Sequence, residues 1–210
     1  MQANWTYSKT MIATEFLNPT DPVPVHSISP YDRTHNFTVT GIYELPFSNG
    51  KRWLNNNRWV DLLAGGWSLN GIYQGASGLP LSFGNVAFAG DINAINIPNG
   101  QRTVDRWFNI DAGFERNSAR QLANNIRTFP LRLSGARPDG FNILNLSALK
   151  NFRISERLRL QFRAEAVDAL NHPLFAAPDM SPTSGTFGQV STLGSGNTQR
   201  RITLGGKVTW

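Results

Sequence analysis

The sequence predicts an all-β fold: an antiparallel, up-and-down transmembrane β-barrel segment of about six long strands, incomplete as a barrel. Three observations predict it. Apolar and polar residues alternate along most of the chain, and a strand's side chains repeat every two residues. Helical periodicity is nearly absent, with "RQLANNIR" (120–127) reading as one short helix inside a loop. The connections also alternate in length, as in outer-membrane barrels with their short turns at one end and long loops at the other.

The first strand is expected over roughly residues 2–15, where Trp5 and Tyr7 point one way and Asn4, Thr6 and Ser8 the other. A polar, proline-rich loop follows, "NPTDPVPVHSISPYD". The second strand covers roughly 34–46, with Phe37, Val39, Gly41, Tyr43 and Leu45 opposite Thr38, Thr40, Ile42 and Glu44. "PFSNGKRWLNNNRW" leads to a third strand starting near Ala64 and extending toward "LPLSF". In it Trp67, Leu69, Gly71 and Tyr73 oppose Ser68, Asn70, Ile72 and Gln74.

Residues 85–140 lack alternation and form one long loop, a length that in compact proteins marks function or disorder. The fourth strand, about 142–151, sets Leu144, Leu146 and Ala148 against Asn145, Ser147 and Leu149. The turn "FRISER" leads into the fifth, about 157–170. A Pro/Gly/Ser-rich loop, 171–197, precedes the closing strand "RITLGGKVTW". There Ile202, Leu204, Gly206, Val208 and Trp210 share one face.

Composition narrows the function classes. The 210 residues include no cysteine, which excludes disulfide frameworks, thiolate metal sites and cysteine nucleophiles. The net charge is +6 and the isoelectric point about 10.2, but the basic residues are scattered, which argues against nucleic acid as a partner. No window reaches the roughly 18 consecutive apolar residues of a membrane helix. The start "MQANWTYSKT" has no basic segment followed by an apolar run, so it is not a signal peptide. Met1 falls inside strand-like sequence, and the expectation is a piece of a longer gene product.

The fifth strand identifies the membrane face. Arg157, Arg159, Arg163 and Glu165 lie on one side, whereas the side carrying Leu158, Leu160, Phe162, Ala164 and Ala166 has no charge. A one-residue slip would turn Arg163 toward lipid at a cost of about 2–4 kcal/mol near the midplane. The charged residues are lumen-facing candidates, either as a ladder touching a plug or solute or as a solvated wall with local ion pairs. Tyr43, Trp67 and Trp210 collect at the short-turn end, where amphipathic rings favour the membrane–water boundary, and Phe47 and Trp53 sit in the turn.

Catalytic and metal chemistry finds no support. His26, His35 and His172 lack zinc spacing, and "DINAINIPNG" lacks the later acidic ligand of a calcium loop. No nucleophile elbow, P-loop or dinucleotide fingerprint is present. Asp32, Arg33 and His35 stand where a loop enters a strand and read as local hydrogen-bonding groups. No cofactor and no enzymatic activity are expected.

Read backward from the end, Trp210, Val208, Gly205 and Thr203 resemble the terminal assembly signal of outer-membrane barrel proteins, which the barrel-assembly machinery binds by strand pairing. More broadly, "NWTYSKT", "YDRTHNFTVTGIYELPFSNGKR", "GGWSLNGIYQGASGLPLSF", "LSALKNFRISERLRLQFRAEAVDALNHPLF" and "GTFGQV" occur in the order of one family. On them the chain resembles the C-terminal part of a TonB-dependent outer-membrane transporter, in the Oar-like group whose members carry a carboxypeptidase-regulatory-like domain. Val167–Asp168, in place of a Phe-Asn pair, and Trp210, in place of the commoner Phe, depart from the pattern. The resemblance implies a barrel of about 22 strands, an N-terminal plug and a TonB-box segment; neither plug nor box is recognisable here. It also implies partners: outer-membrane lipid, the assembly machinery, the TonB complex through the N-terminal part, and a large solute taken up at the outer loops, with 85–140 the expected contact. Two other readings remain at this stage: a soluble β-sandwich lectin or adhesin, and a small complete outer-membrane barrel.

Overall fold

The computed structural model describes residues 1–47, 65–121, 125–155, 157–197 and 199–210. Eight strands are present among them: β1 (Gln2–Tyr7), β2 (Met11–Glu15), β3 (Val25–Ile28), β4 (His35–Glu44), β5 (Trp67–Ala76), β6 (Phe141–Arg153), β7 (Arg159–Val167) and β8 (Arg201–Thr209). Six of them form one antiparallel sheet in the order β1-β4-β5-β6-β7-β8, and β2 and β3 form a separate hairpin. The sheet is open, with β1 and β8 at its edges. Strands β4 and β5 have 10 residues each, β7 and β8 have 9, and β6 has 13. A tilted strand of about 9–11 residues crosses the hydrocarbon of a bilayer.

Pairing register carries the alternation across the sheet. Tyr43, Leu69, Ala148, Ala164 and Leu204 are successive cross-strand partners and form an apolar row over five strands. One residue along, Ile42, Asn70, Ser147, Glu165 and Thr203 form the next row, on the opposite, predominantly polar face. Among the described residues no second sheet covers the apolar face, where Tyr43, Leu69, Leu146 and Leu204 are all exposed. A sandwich would bury such a face about 10 Å from a partner layer, so the sandwich reading fails.

The structure corrects several strand boundaries. The expected first strand breaks at Ser8–Thr10. Asp32 Oδ1 accepts the Thr10 N–H at 2.6 Å and the Ser29 N–H donates to the Thr10 carbonyl at 2.9 Å, so the chain leaves the main ladder and pairs with β3 instead. Strand β3 itself lies in what reads as a proline-rich loop. The third strand ends at Ala76 rather than reaching "LPLSF", because Leu81 and Phe83 turn into a separate core. The turn 46–59, with Trp53, and the start near Ala64 fall mostly or wholly outside the described residues. So do 122–124 of the expected helix; of the rest, Arg120 closes a single 3₁₀ turn, Ser118–Arg120, and Gln121 and 125–127 are not helical.

That core is the main departure from expectation. Leu81, Phe83, Ile95, Phe108, Phe114, Phe129 and Phe187 pack into one buried cluster, and none of its members belongs to the six-stranded sheet. Rings meet edge-on, with Phe83–Phe108 centroids 4.9 Å apart at 80° and Phe114–Phe187 5.1 Å apart at 79°. This is the preferred geometry of aromatic quadrupoles. The long connections after β5 and β7 leave the same end of the sheet, and their described residues fold together into a cap, while Arg153 and Arg159 stand at the other end, where the connection is short.

Candidate functional site

The cap is held by three kinds of interaction that its sequence permits. Apolar burial comes first: Phe108 is 1 % exposed and Ile95 0 %. Side-chain amides bridge loops second. Asn18 Oδ1 accepts from Arg127 N at 2.6 Å and Asn18 Nδ2 donates to Arg127 O at 3.2 Å, so one side chain imitates a paired strand. Arginines come third. Irregular backbone leaves carbonyls without ladder partners, and a buried carbonyl needs a donor. Arg137 donates to the carbonyls of Asp32 (2.9 Å), Gly78 (2.8 Å) and Ser134 (3.0 Å). Arg127 serves Phe129 and Pro130, and Arg102 serves Ile97 and Arg137. The scattered positive charge is thus partly structural.

Two ion pairs fasten the first loop to the third. Asp32 is fully buried and accepts from Arg137 Nη2 at 2.6 Å. Glu15 takes both terminal nitrogens of Arg132, at 2.5 and 2.6 Å. Burial by itself raises the pKa of Asp32, but the Thr10 N–H and the Arg137 guanidinium outweigh it and hold the carboxyl below its ordinary 3.8. The Arg132 fork holds Glu15 below its ordinary 4.5. Hydrogen bonds from Ser184 and from the Ser181 N–H lower Asp179 as well. A depressed carboxyl binds its proton more readily in the unfolded chain, so its stabilisation is complete above the unfolded value and vanishes as pH falls through the folded one. The cap is therefore expected to keep its near-ultraviolet dichroism from neutral pH down to about pH 4 and to lose it below, before the far-ultraviolet β signal of the sheet changes.

A close backbone crossing sets another constraint. Ala89 N donates to Gly113 O at 2.9 Å, and Gly113 has φ +125°. A Cβ on Gly113 would stand 2.7 Å from the Gly90 Cα. Gly113→Ala is expected to lower the melting transition of the cap by more than Gly84→Ala does. Gly84 has φ +73° but open space around it, so its variant carries only the backbone cost of about 1–3 kcal/mol. Paired thermal melts measure the difference.

Between the strand ends and the cap lies a cleft of about 800 Å³, lined among others by His35, Ser77, Arg102, Trp107, Arg137, Asp139, Asn142 and His172. Trp107 Nε1 donates to Arg137 O at 2.9 Å, and its ring meets Phe175 edge-on. The Asn142 side-chain oxygen is buried there with no hydrogen-bond partner among the described residues. Asp32 does bond locally, its N–H donating to Ser29 O at 3.1 Å, and it also reaches Arg137 over long range, while Arg33 donates to Ser77 O at 2.7 Å. Among the described residues no group of three or more His, Asp or Glu is placed to hold a metal ion. The arrangement offers a polar recess for binding.

The sheet distributes the other residues singled out by sequence. Arg159, Arg163 and Glu165 share the polar face, and Arg163 donates to Glu165 in a short ion pair. Arg157 lies in the turn before β7, outside the ladder. Thr203 and Gly205 sit on the polar side of β8 and Val208 on its apolar side, with Trp210 just beyond the strand and 90 % exposed. Tyr43 and Trp67 stand toward the short-turn end of β4 and β5. Sequence reading missed a second aromatic group, Trp5, Tyr7, Phe37 and Tyr73, at the long-loop end of the same face. Tyr73 and Trp67 bound about 20 Å of strand at 3.3 Å per residue, close to the apolar band of about 25 Å in outer-membrane barrels. It also missed Lys150, which alternation places on the apolar face opposite Trp67 and Phe162. Lys150 is 2 % exposed; its Nζ donates to Gly65 O and stands 5.7 Å from the Trp67 ring and 5.0 Å from that of Phe152. Aromatic faces and a carbonyl thus solvate the ammonium at the boundary.

A family model described as "Outer membrane beta barrel domain" matches residues 1–203. No curated protein and no solved structure matches the chain.

Proposed function

The chain belongs to the outer membrane β-barrel domain family and resides in the outer membrane of a Gram-negative bacterium; from that premise we propose that it is the C-terminal part of the barrel of a TonB-dependent receptor of the Oar-like group. It supplies wall, outer loops and assembly signal for energy-coupled uptake of a large solute. The observation that carries the reading is the open six-stranded sheet, β4 to β8 of membrane length, under a folded cap. Lipid-spanning barrels begin at about eight strands, and an unpaired edge in hydrocarbon leaves N–H and C=O groups each costing several kcal/mol. Partner strands on both edges complete such a wall.

In this reading the apolar face meets lipid between two aromatic belts. The polar face with Arg159, Arg163 and Glu165 turns to the lumen, and the cap with residues 85–140 stands outside. Thr203, Gly205, Val208 and Trp210 present the edge that the assembly machinery pairs with. The protein binds and passes a solute without catalysis, and nucleic acid is no partner. The complete gene product in detergent is expected to retain the periplasmic domain of TonB on an affinity column and to lose it when the segment preceding the barrel is removed. Absence of retention overturns the transporter assignment. Removing Val208–Trp210 is expected to deplete the protein from outer membranes and leave it in the periplasm; unchanged insertion overturns the role of the terminal signal.

A further inference from the structure

Two recesses under the cap lie on opposite faces of the wall. Gly75 and Asn142 are direct partners, two residues beyond the pair Tyr73–Leu144, so Asn142 stands on the apolar face. Ser77 continues that face: its N–H donates to the His35 carbonyl at 2.9 Å and its hydroxyl accepts the His35 N–H at 3.1 Å. His35 shares the face with Phe37 and lies against the rings of Trp5 and Tyr7, at 6.0 and 5.3 Å between centroids. His35, Ser77 and Asn142 line the 800 Å³ cleft, and Ala76 and Phe141, of the neighbouring row, reach it at the strand ends. A second recess of about 630 Å³ is lined instead by Gln74 and Ile143, partners on the polar face.

The larger cleft therefore stands directly beyond the lipid-facing surface, at the long-loop end. Val39, Tyr73 and Leu144 form an apolar row beneath it. The Tyr73 hydroxyl lies over Gly75, 3.0 Å from where a Cβ would stand, and so marks the passage from apolar row to cleft. Beyond it the groups are polar. The Asn142 side-chain oxygen is a buried acceptor with no partner among the described residues, whereas buried polar groups are ordinarily satisfied. Arg102 gives three of its five N–H donors to Ile97 O, Arg137 O and Asn96 Oδ1, which fixes the guanidinium and leaves two. A polar recess with a fixed cation, continuous with an apolar foot, suits an amphiphile and not a freely soluble solute. We propose that the cleft binds the phosphorylated glycolipid of the outer leaflet. Its sugar-phosphate head lies among Arg102, His35 and Asn142, whose amide turns its oxygen to a sugar hydroxyl, and its acyl chains run along Val39, Tyr73 and Leu144. The volume is that of a pocket for a molecule of several rings, more than a single phosphodiester head fills. The proposal rests on the apolar face meeting lipid and not on the transporter assignment.

The test uses the complete gene product, extracted from outer membranes and exchanged into detergent. The probe is fluorescently labelled lipid A, an acylated glucosamine disaccharide with two phosphates. Saturable binding is expected, weakened at least tenfold by Asn142→Leu. Asn99→Trp replaces an exposed side chain on the rim of the cleft and is expected to block it to the same degree, so the test stands even if Asn142→Leu does not fold. Gln74→Trp, on the opposite face, is expected to leave binding unchanged. Mobility of the unheated band on a denaturing gel verifies folding of each variant. Absence of saturable binding, or undiminished binding by Asn99→Trp, overturns the proposal. Equal competition by the deacylated disaccharide bisphosphate makes the cleft a soluble-solute site, and equal competition by phosphatidylglycerol makes the contact one for any anionic lipid; either result overturns it. Loss of binding in Gln74→Trp alone moves the ligand to the inner face and does the same. None of these outcomes alters retention of TonB, so the two readings fail separately.

Discussion

Asp32→Ala is expected to cost the cap about 3–5 kcal/mol, the penalty of removing one partner from a buried ion pair. The carboxylate is fully buried, and its loss abandons the Arg137 guanidinium and the Thr10 N–H together. Arg137 keeps its three carbonyls, but it is then a largely enclosed cation that has lost its buried counter-charge. Glu15→Ala is the internal comparison. Its side chain is 40 % exposed, so the pair already stands partly in water, and Arg132 keeps Ser27 Oγ and the Ile28 carbonyl; the effect is expected to be smaller, about 1 kcal/mol. Thermal melts of both variants in detergent, followed through the near-ultraviolet signal of the buried aromatic cluster, provide the ranking. Equal midpoints show that the pair through Asp32 does not hold the cap.

Ala164→Arg is expected to destabilise the inserted sheet by about 2–4 kcal/mol, the cost of a cation facing lipid near the midplane. Ala164 lies in the middle of β7 between Ala148 and Leu204 on the apolar face. Ser147→Arg, one row away on the polar face between Asn70 and Glu165, is expected to be nearly neutral. Urea unfolding in lipid vesicles compares the two. If both arginines are tolerated alike, the apolar face does not contact hydrocarbon.

The sheet is the legible part of this chain because its period is written residue by residue. In β4, β5, β7 and β8 the sequence alternation gives both the strand and the face, and the pairing register agrees with it. The hairpin β2–β3 escapes such reading, since its separation from β1 depends on Asp32 capturing the Thr10 N–H from 22 positions away. The cap escapes it for the same reason on a larger scale. Phe83, Phe108, Phe114, Phe129 and Phe187 follow no period, because connections distant in sequence bring them together. Loop arginines read as solvated charge until the carbonyls they serve are known. Lys150 contradicts the alternation outright, and its aromatic and carbonyl surroundings become visible in the structure alone.

The arginine forks set into loop carbonyls imply that isoelectric point and chromatographic behaviour part company. Guanidinium groups enclosed by Asp32, Gly78, Ser134, Phe129 and Pro130 are poorly presented to a resin. The native molecule should leave a cation exchanger earlier than its denatured counterpart of identical composition. Swapping Arg127 and Arg137 for lysine would preserve every formal charge yet forfeit the planar, multi-pronged donor on which those bonds depend.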